Sequence, residues 1–229
     1  LASSAASDVY KRQIIEDSEG DLWYGTNNGI SLQDSKTGKW RSFLSTFENV
    51  QNSKNHIFTT LCEVSPGIIW AGGYFSGLYQ IDKRTSKTTY FTPASYAHES
   101  IRPDKYIRDI RKDSRGYVWS GGYYNLKRIN VQTKDIRLYH GLHSVTAIIE
   151  KDDKSMWIGT ATGLFLLDIE SGKYERIQLP VESTYVYSLY QTKQGSLYIG
   201  TSGSGVLIYD PQTKLFTHYS VSYTHLTLP

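Results

Sequence analysis

The chain has 229 residues, 14% of them aromatic and 21% charged, with a formal net charge of +3, 19 glycines and one cysteine. Its Lys and Arg residues are scattered through turns, which argues against the concentrated basic face of a nucleic-acid binder. No apolar run reaches the 18 residues of a membrane span, and the lone Cys62, inside "TTLCEV", excludes an intrachain disulfide and is expected to be a buried small hydrophobe.

Abundant Tyr, Thr, Val and Ile with no 3.6-residue apolar period predict strands throughout, so the expected class is all-β. In chain order, "LASSAASDVYKRQ" shows no repeat register, and residues 1–12 are expected to be a non-native scar; "VSYTHLTLP", 221–229, is read the same way. The first patterned stretch is "IIEDSEGDLWYGTNNGISLQD" (14–34). Its second half returns as "IWAGGYFSGLYQID" (69–82), "VWSGGYYNLKRIN" (118–130), "MWIGTATGLFLLD" (156–168) and "LYIGTSGSGVLIYD" (197–210). Trp23, Trp70, Trp119, Trp157 and Tyr198 head the copies about forty to fifty residues apart. Gly25, Gly72, Gly121, Gly159 and Gly200 follow two places later, and Asp34, Asp82, Asn130, Asp168 and Asp210 close the copies, each with Thr or Ser three residues on. That last pattern is turn chemistry, because short polar side chains bond nearby backbone N–H groups.

Each unit therefore predicts four antiparallel strands. In residues 143–180 these are "HSVTAIIE", "MWIGT", "LFLLD" and "YERIQL", a meander of propeller-blade length. Five blades are expected at about 13–45, 56–93, 106–140, 143–180 and 185–220. One meander cannot bury enough surface to offset the entropy of ordering it, so blade must stack on blade. The tryptophans and the pairs Phe58/Leu61, Ile107/Ile110, Val145/Ile148 and Val186/Leu189 are the predicted core between blades.

At the level of the repeat, "LWYGTNNGI", "MWIGTATGLFLLD" and "LYIGTSGSGVLIYD", preceded by turns such as "EDSEGDLW" and "KDSRGYVW", resemble two-component regulator propeller repeats. The resemblance implies a β-propeller of which five blades of seven are visible. It also implies the extracytoplasmic, periplasmic sensor region of a Bacteroidetes hybrid two-component regulator, binding a glycan fragment and relaying the signal to a downstream histidine kinase. The departures are "AGGYFSG" and "SGGYYNL" in the second and third blades and Tyr198 for tryptophan in the fifth.

The chain offers little to an enzyme. It has no G-x-x-x-x-G-K-[ST], G-x-S-x-G or H-E-x-x-H. Asp17, Asp113, Asp152 and Asp153 read as turn formers, and His56 and His143 as shared positions at the start of inner strands; no metal, cofactor or catalytic residue is expected. Asp109, in "YIRDI", has a plausible inner-strand position but no second carboxylate.

Topology puts the loop between the second and third strands of each blade at the same end as the links between blades, where binding residues concentrate. Tyr74, Phe75, Tyr123 and Tyr124 fall there on adjacent, divergent blades, and Asn125, Arg108 and His98 are candidate partners for sugar hydroxyl or acidic groups. The expected function is a non-catalytic glycan sensor with an oligosaccharide ligand and further domains of the same chain as partners. The alternatives are a scaffold for protein contact or homodimerisation and, third, a propeller glycoside hydrolase or lyase.

Overall fold

A computed structural model describes residues 11–45, 57–91 and 106–220. Every regular element among them is a strand, and no helix is long and apolar enough to cross a membrane. The chain divides into two compact units, Leu1–Val145 and Thr146–Pro229.

The first unit holds three four-stranded sheets. They are β1 (Lys11–Glu16), β2 (Leu22–Thr26), β3 (Gly29–Gln33) and β4 (Trp40–Phe43); then β5 (Ile57–Ser65), β6 (Ile68–Tyr74), β7 (Gly77–Asp82) and β8 (Thr88–Tyr90); then β9 (Ile107–Lys112), β10 (Val118–Gly122), β11 (Leu126–Ile129) and β12 (Ile136–Tyr139). The second unit holds two, with β13 (Val145–Glu150) starting at the boundary, then β14 (Ser155–Thr160), β15 (Gly163–Asp168) and β16 (Tyr174–Ile177), and β17 (Val186–Gln191), β18 (Leu197–Thr201), β19 (Val206–Asp210) and β20 (Leu215–Tyr219). In every sheet the strands lie side by side in chain order, as antiparallel meanders. The fold is all-β, five blades of the propeller type.

The predicted turn chemistry is present in all five. Asp34 Oδ1 accepts from Thr37 N at 2.7 Å and Thr37 Oγ1 at 2.8 Å. Asp82, Asn130, Asp168 and Asp210 do the same for the backbone N–H three residues on, at 2.7 to 3.4 Å. These bonds satisfy the turn's amide donors and end the third strand of each blade.

Three of the heading tryptophans form a core between blades, completed by the following sheet. Trp23 clusters with Phe58, Leu61, Ile69 and Ile81 of the second sheet, Trp70 with Ile107, Ile110, Val118 and Ile129 of the third, and Trp157 with Val186, Leu197, Ile199 and Leu207 of the fifth. The invariant glycine two places on has a related cause. A Cβ on Gly72 would lie 2.6 Å from Ile107 Cγ2, and one on Gly159 would lie 2.7 Å from Val186 Cγ1, so a side chain there would push the next inner strand away.

Polar side chains lace neighbouring inner strands. Thr59 Oγ1 donates to the Ile107 carbonyl at 3.1 Å, and Thr146, its counterpart two blades later, donates to the Val186 carbonyl. Gln13 Oε1 accepts from Leu61 N, and Thr60 Oγ1 from Ile110 N at 3.0 Å.

Candidate functional site

Within the first unit, the loops after β6 and β10 build a run of aromatic rings. Phe75 and Tyr106 lie 4.5 Å apart between centroids, Tyr74 and Tyr106 6.4 Å, Tyr106 and Tyr123 6.1 Å, and Tyr123 and Tyr124 5.0 Å. Phe75, Tyr123 and Tyr124 are 51%, 53% and 41% exposed, so they present ring surface to solvent instead of capping an interface. Aromatic faces this exposed and contiguous suit the apolar face of a sugar ring or another flat ligand.

The backbone beneath the rings is tied down. Ser76 Oγ donates to the carbonyls of Ile57 at 2.9 Å and Tyr74 at 3.1 Å. Tyr74 and Tyr106 form an antiparallel bridge, Tyr123 N donates to Tyr106 O at 3.1 Å, and Ser144 N donates to Tyr123 O at 3.0 Å. Phe75 itself sits at φ 60°, a left-handed conformation that is uncommon for a bulky residue.

The four predicted ring residues are thus brought together, and Tyr106 is the member that sequence reading missed. Its signal was present, because it ends the long link before the third blade and precedes the pair Ile107/Ile110 by one place. Arg108 and Asn125 are half-buried, on β9 and just before β11. His98 lies outside the described residues, as do His56 and most of the two long links. His143 is close by, with Nδ1 2.6 Å from the Tyr124 carbonyl, so its role here is to hold the second loop.

Two sets of carboxylates do more than their turns require. Asp17 caps its turn through Glu19 N and Asp21 N, each at 3.0 Å, and also accepts the Trp23 indole N–H at 2.8 Å. Asp113 does the same for Trp119 at 2.9 Å. In the second and fourth blades Val64 and Lys151 hold this position, and the Trp70 and Trp157 indole nitrogens have no partner among the described residues. The spacing D-x5-W was the legible sign.

The second set surrounds Lys83, a buried lysine that no sequence pattern singles out. Its Nζ lies 2.6 Å from Asp17, 2.7 Å from Asp21 and 2.8 Å from Glu19, pinning the second sheet to the first. Burial opposes ionisation of Asp21, but Lys83 and the Ser35 donors outweigh it and hold its carboxyl at about 2. Burial likewise opposes the Lys83 charge, and the three carboxylates overcome it and raise the ammonium above its ordinary value. Asp109, buried on β9 opposite Gly121, occupies the repeat position of the lacing residues Gln13 and Thr60, with Arg111 Nε 3.2 Å away. Among the described residues no three His, Cys, Asp or Glu side chains gather as metal ligands do.

The family model described as two component regulator propeller matches residues 4–28 and 180–203. The first match starts within the segment 1–12 set aside above. No curated protein sequence matches the chain. Among solved structures, the extracellular domains of two hybrid two component systems from B. thetaiotaomicron are similar, both at 18% identity. They have TM-scores of 0.74 and 0.64, covering 91% and 95% of this chain but only 29% and 34% of theirs. Virginiamycin B lyase from Staphylococcus aureus is similar at a TM-score of 0.75 and 14% identity, with 97% of this chain and 72% of that one covered. The chain spans about a third of its two-component neighbours, and at these identities the likeness is one of fold. The family match, confined to 4–28 and 180–203, and the five-fold repeat point the same way, to repeats like those of two-component regulator propellers.

Proposed function

We propose that this chain is the ligand-sensing part of an extracytoplasmic receptor, that it is non-catalytic, and that its ligand is a glycan fragment bound on the rings of Tyr74, Phe75, Tyr106, Tyr123 and Tyr124. The observation that carries the reading is the contiguity of exposed rings on the two blades whose loops depart from the repeat. A repeat protein keeps its packing positions constant and varies its binding loops, so divergence in the corresponding loops of two adjacent blades points to recognition.

The periplasmic location and the relay to a histidine kinase follow from the family and from the extracellular neighbours, as proposals for the longer protein. The described carboxylates support the non-catalytic part of the reading. Asp17 and Asp113 are engaged by tryptophan, and Asp109 stands where the inner strands are laced.

The test is calorimetric titration with a panel of plant and host oligosaccharides, comparing wild type with Tyr74→Ala and Tyr123→Ala. Losing one stacking ring costs about 1–2 kcal/mol, a ten- to thirty-fold loss of affinity. A sugar that binds all three proteins equally overturns the site; no binding by any sugar favours the scaffold reading.

A further inference from the structure

At the turn end of the sheets, away from the aromatic loops, the first unit carries two grooves of similar size and opposite charge. One, about 400 Å³, is lined by Glu16, Gly20, Leu22, Gln33, Asp34 and Ser35. The other, about 380 Å³, is lined by Val64, Ser65, Lys112, Arg115, Tyr117 and Asn130 together with their neighbours. They overlap in the repeat, the second groove being completed by Val64 and Ser65 of the preceding sheet. Aligning "EDSEGDLW" with "KDSRGYVW" puts Lys112 where Glu16 stands, Arg115 where Glu19 stands, and Asn130 where Asp34 stands. The fold supplies the concavity each time; the two acidic groups that line the first groove, Glu16 and Asp34, become Lys112 and Asn130, and Arg115 replaces Glu19, which in the first sheet pairs with Lys83 outside the groove lining.

We propose that the groove of the third sheet binds an oxyanion, a carboxylate, sulfate or phosphate group, carried on a small hydroxylated molecule. Lys112 and Arg115 are both exposed and neither forms an ion pair with a described carboxylate. The nearest candidate, Asp113, is turned inward to the Trp119 indole and the amides of Arg115 and Tyr117. No acidic residue lines the groove. Asn130 commits its oxygen to the Gln132 and Thr133 amides, which leaves its NH₂ donors for a ligand. Behind the wall, the Arg128 guanidinium stacks 3.6 Å from the Tyr117 ring, its charge partly offset by Asp113 at 3.7 Å. Two unpaired cations with an amide donor beside them match an anionic head bearing hydroxyls.

The probes are sodium sulfate, inorganic phosphate and trigalacturonate, titrated at low ionic strength into the ¹⁵N-labelled chain, with neutral maltotriose as blank. Expected are saturable shifts of the Gly116 and Tyr117 amides that weaken with added salt. Lys112→Glu with Arg115→Glu should cost about tenfold or more in affinity at an unchanged circular dichroism spectrum, while Lys112→Arg with Arg115→Lys stays within about threefold. Trigalacturonate binding well above the inorganic ions assigns the anion to a sugar acid; parity assigns a free oxyanion. No saturable shift with any anion, or equal binding by the charge-swapped protein, overturns the site. Neither result bears on the aromatic loops at the other end.

Discussion

The second and fifth sheets are built from the same repeat and end in different surroundings. In the second, Trp70 is 1% exposed because the third sheet covers it; in the fifth, Tyr198 at the same position is 39% exposed, with Tyr187 at 59% and Tyr190 at 64% beside it. The glycine tells the same story. A Cβ on Gly72 would strike Ile107 of the next sheet, whereas one on Gly200 would meet only Ser188 of its own. The repeat is therefore half of an interface, and its heading aromatic is finished by whatever sheet follows. Tryptophan heads the first, second and fourth blades, where a following sheet covers it, and the tyrosine that heads the fifth is exposed.

The largest effects should come from breaking covered interfaces. Lys83→Ala strands buried carboxylates and should cost about 3–5 kcal/mol in chemical denaturation. Trp157→Ala should cost about the same through the cavity it leaves, while Tyr198→Ala stays below about 1 kcal/mol. Gly72→Ala forces overpacking worth about 1–3 kcal/mol; Gly200→Ala, where a serine hydroxyl can swing aside, should be near neutral. If the pairs Trp157/Tyr198 and Gly72/Gly200 respond alike, the contrast between covered and open faces fails.

Acid sharpens the same contrast more gently. Asp21 is held below its unfolded value, so its contribution is complete above about pH 4 and is lost as pH falls toward 2. Lys83 is raised, so its contribution is complete below its unfolded value and is lost only at strongly alkaline pH. The first unit should therefore lose stability between pH 4 and 2, and Lys83→Met should flatten that part of the profile. The smallest effect is association. Exposed apolar side chains such as Leu215 and Tyr190 should make the chain self-associate weakly with rising concentration in sedimentation, and Tyr187→Ser with Tyr190→Ser should reduce it.

Much of this was legible because the repeat writes each rule five times. The strands, the Asp-x-x-Thr turns and the tryptophan core follow from local chemistry and periodicity, and Tyr74, Phe75, Tyr123 and Tyr124 were visible as departures from a pattern. What escaped depends on where neighbouring blades meet. Lys83 follows an ordinary turn Asp, and only the approach of the second sheet to the first turns it into the hub of three carboxylates. Tyr106 stands alone in sequence and joins the rings through its bridge to Tyr74 and the amide bond from Tyr123. The sign change between the two turn-end grooves was written in the aligned turns, but that they are grooves depends on side chains packed around them.

The claim that recognition resides in the divergent loops is tested most directly at Phe75, where backbone strain and ring exposure coincide. Glycine tolerates φ 60° freely, so Phe75→Gly should leave the melting temperature unchanged or raise it, by up to about 1 kcal/mol in stability, while removing a ring from the wall. A sugar that binds the wild type should then be held about tenfold more weakly by Phe75→Gly protein whose melting is undiminished. Unchanged affinity together with a lowered melting temperature would make Phe75 a packing residue and contradict the site.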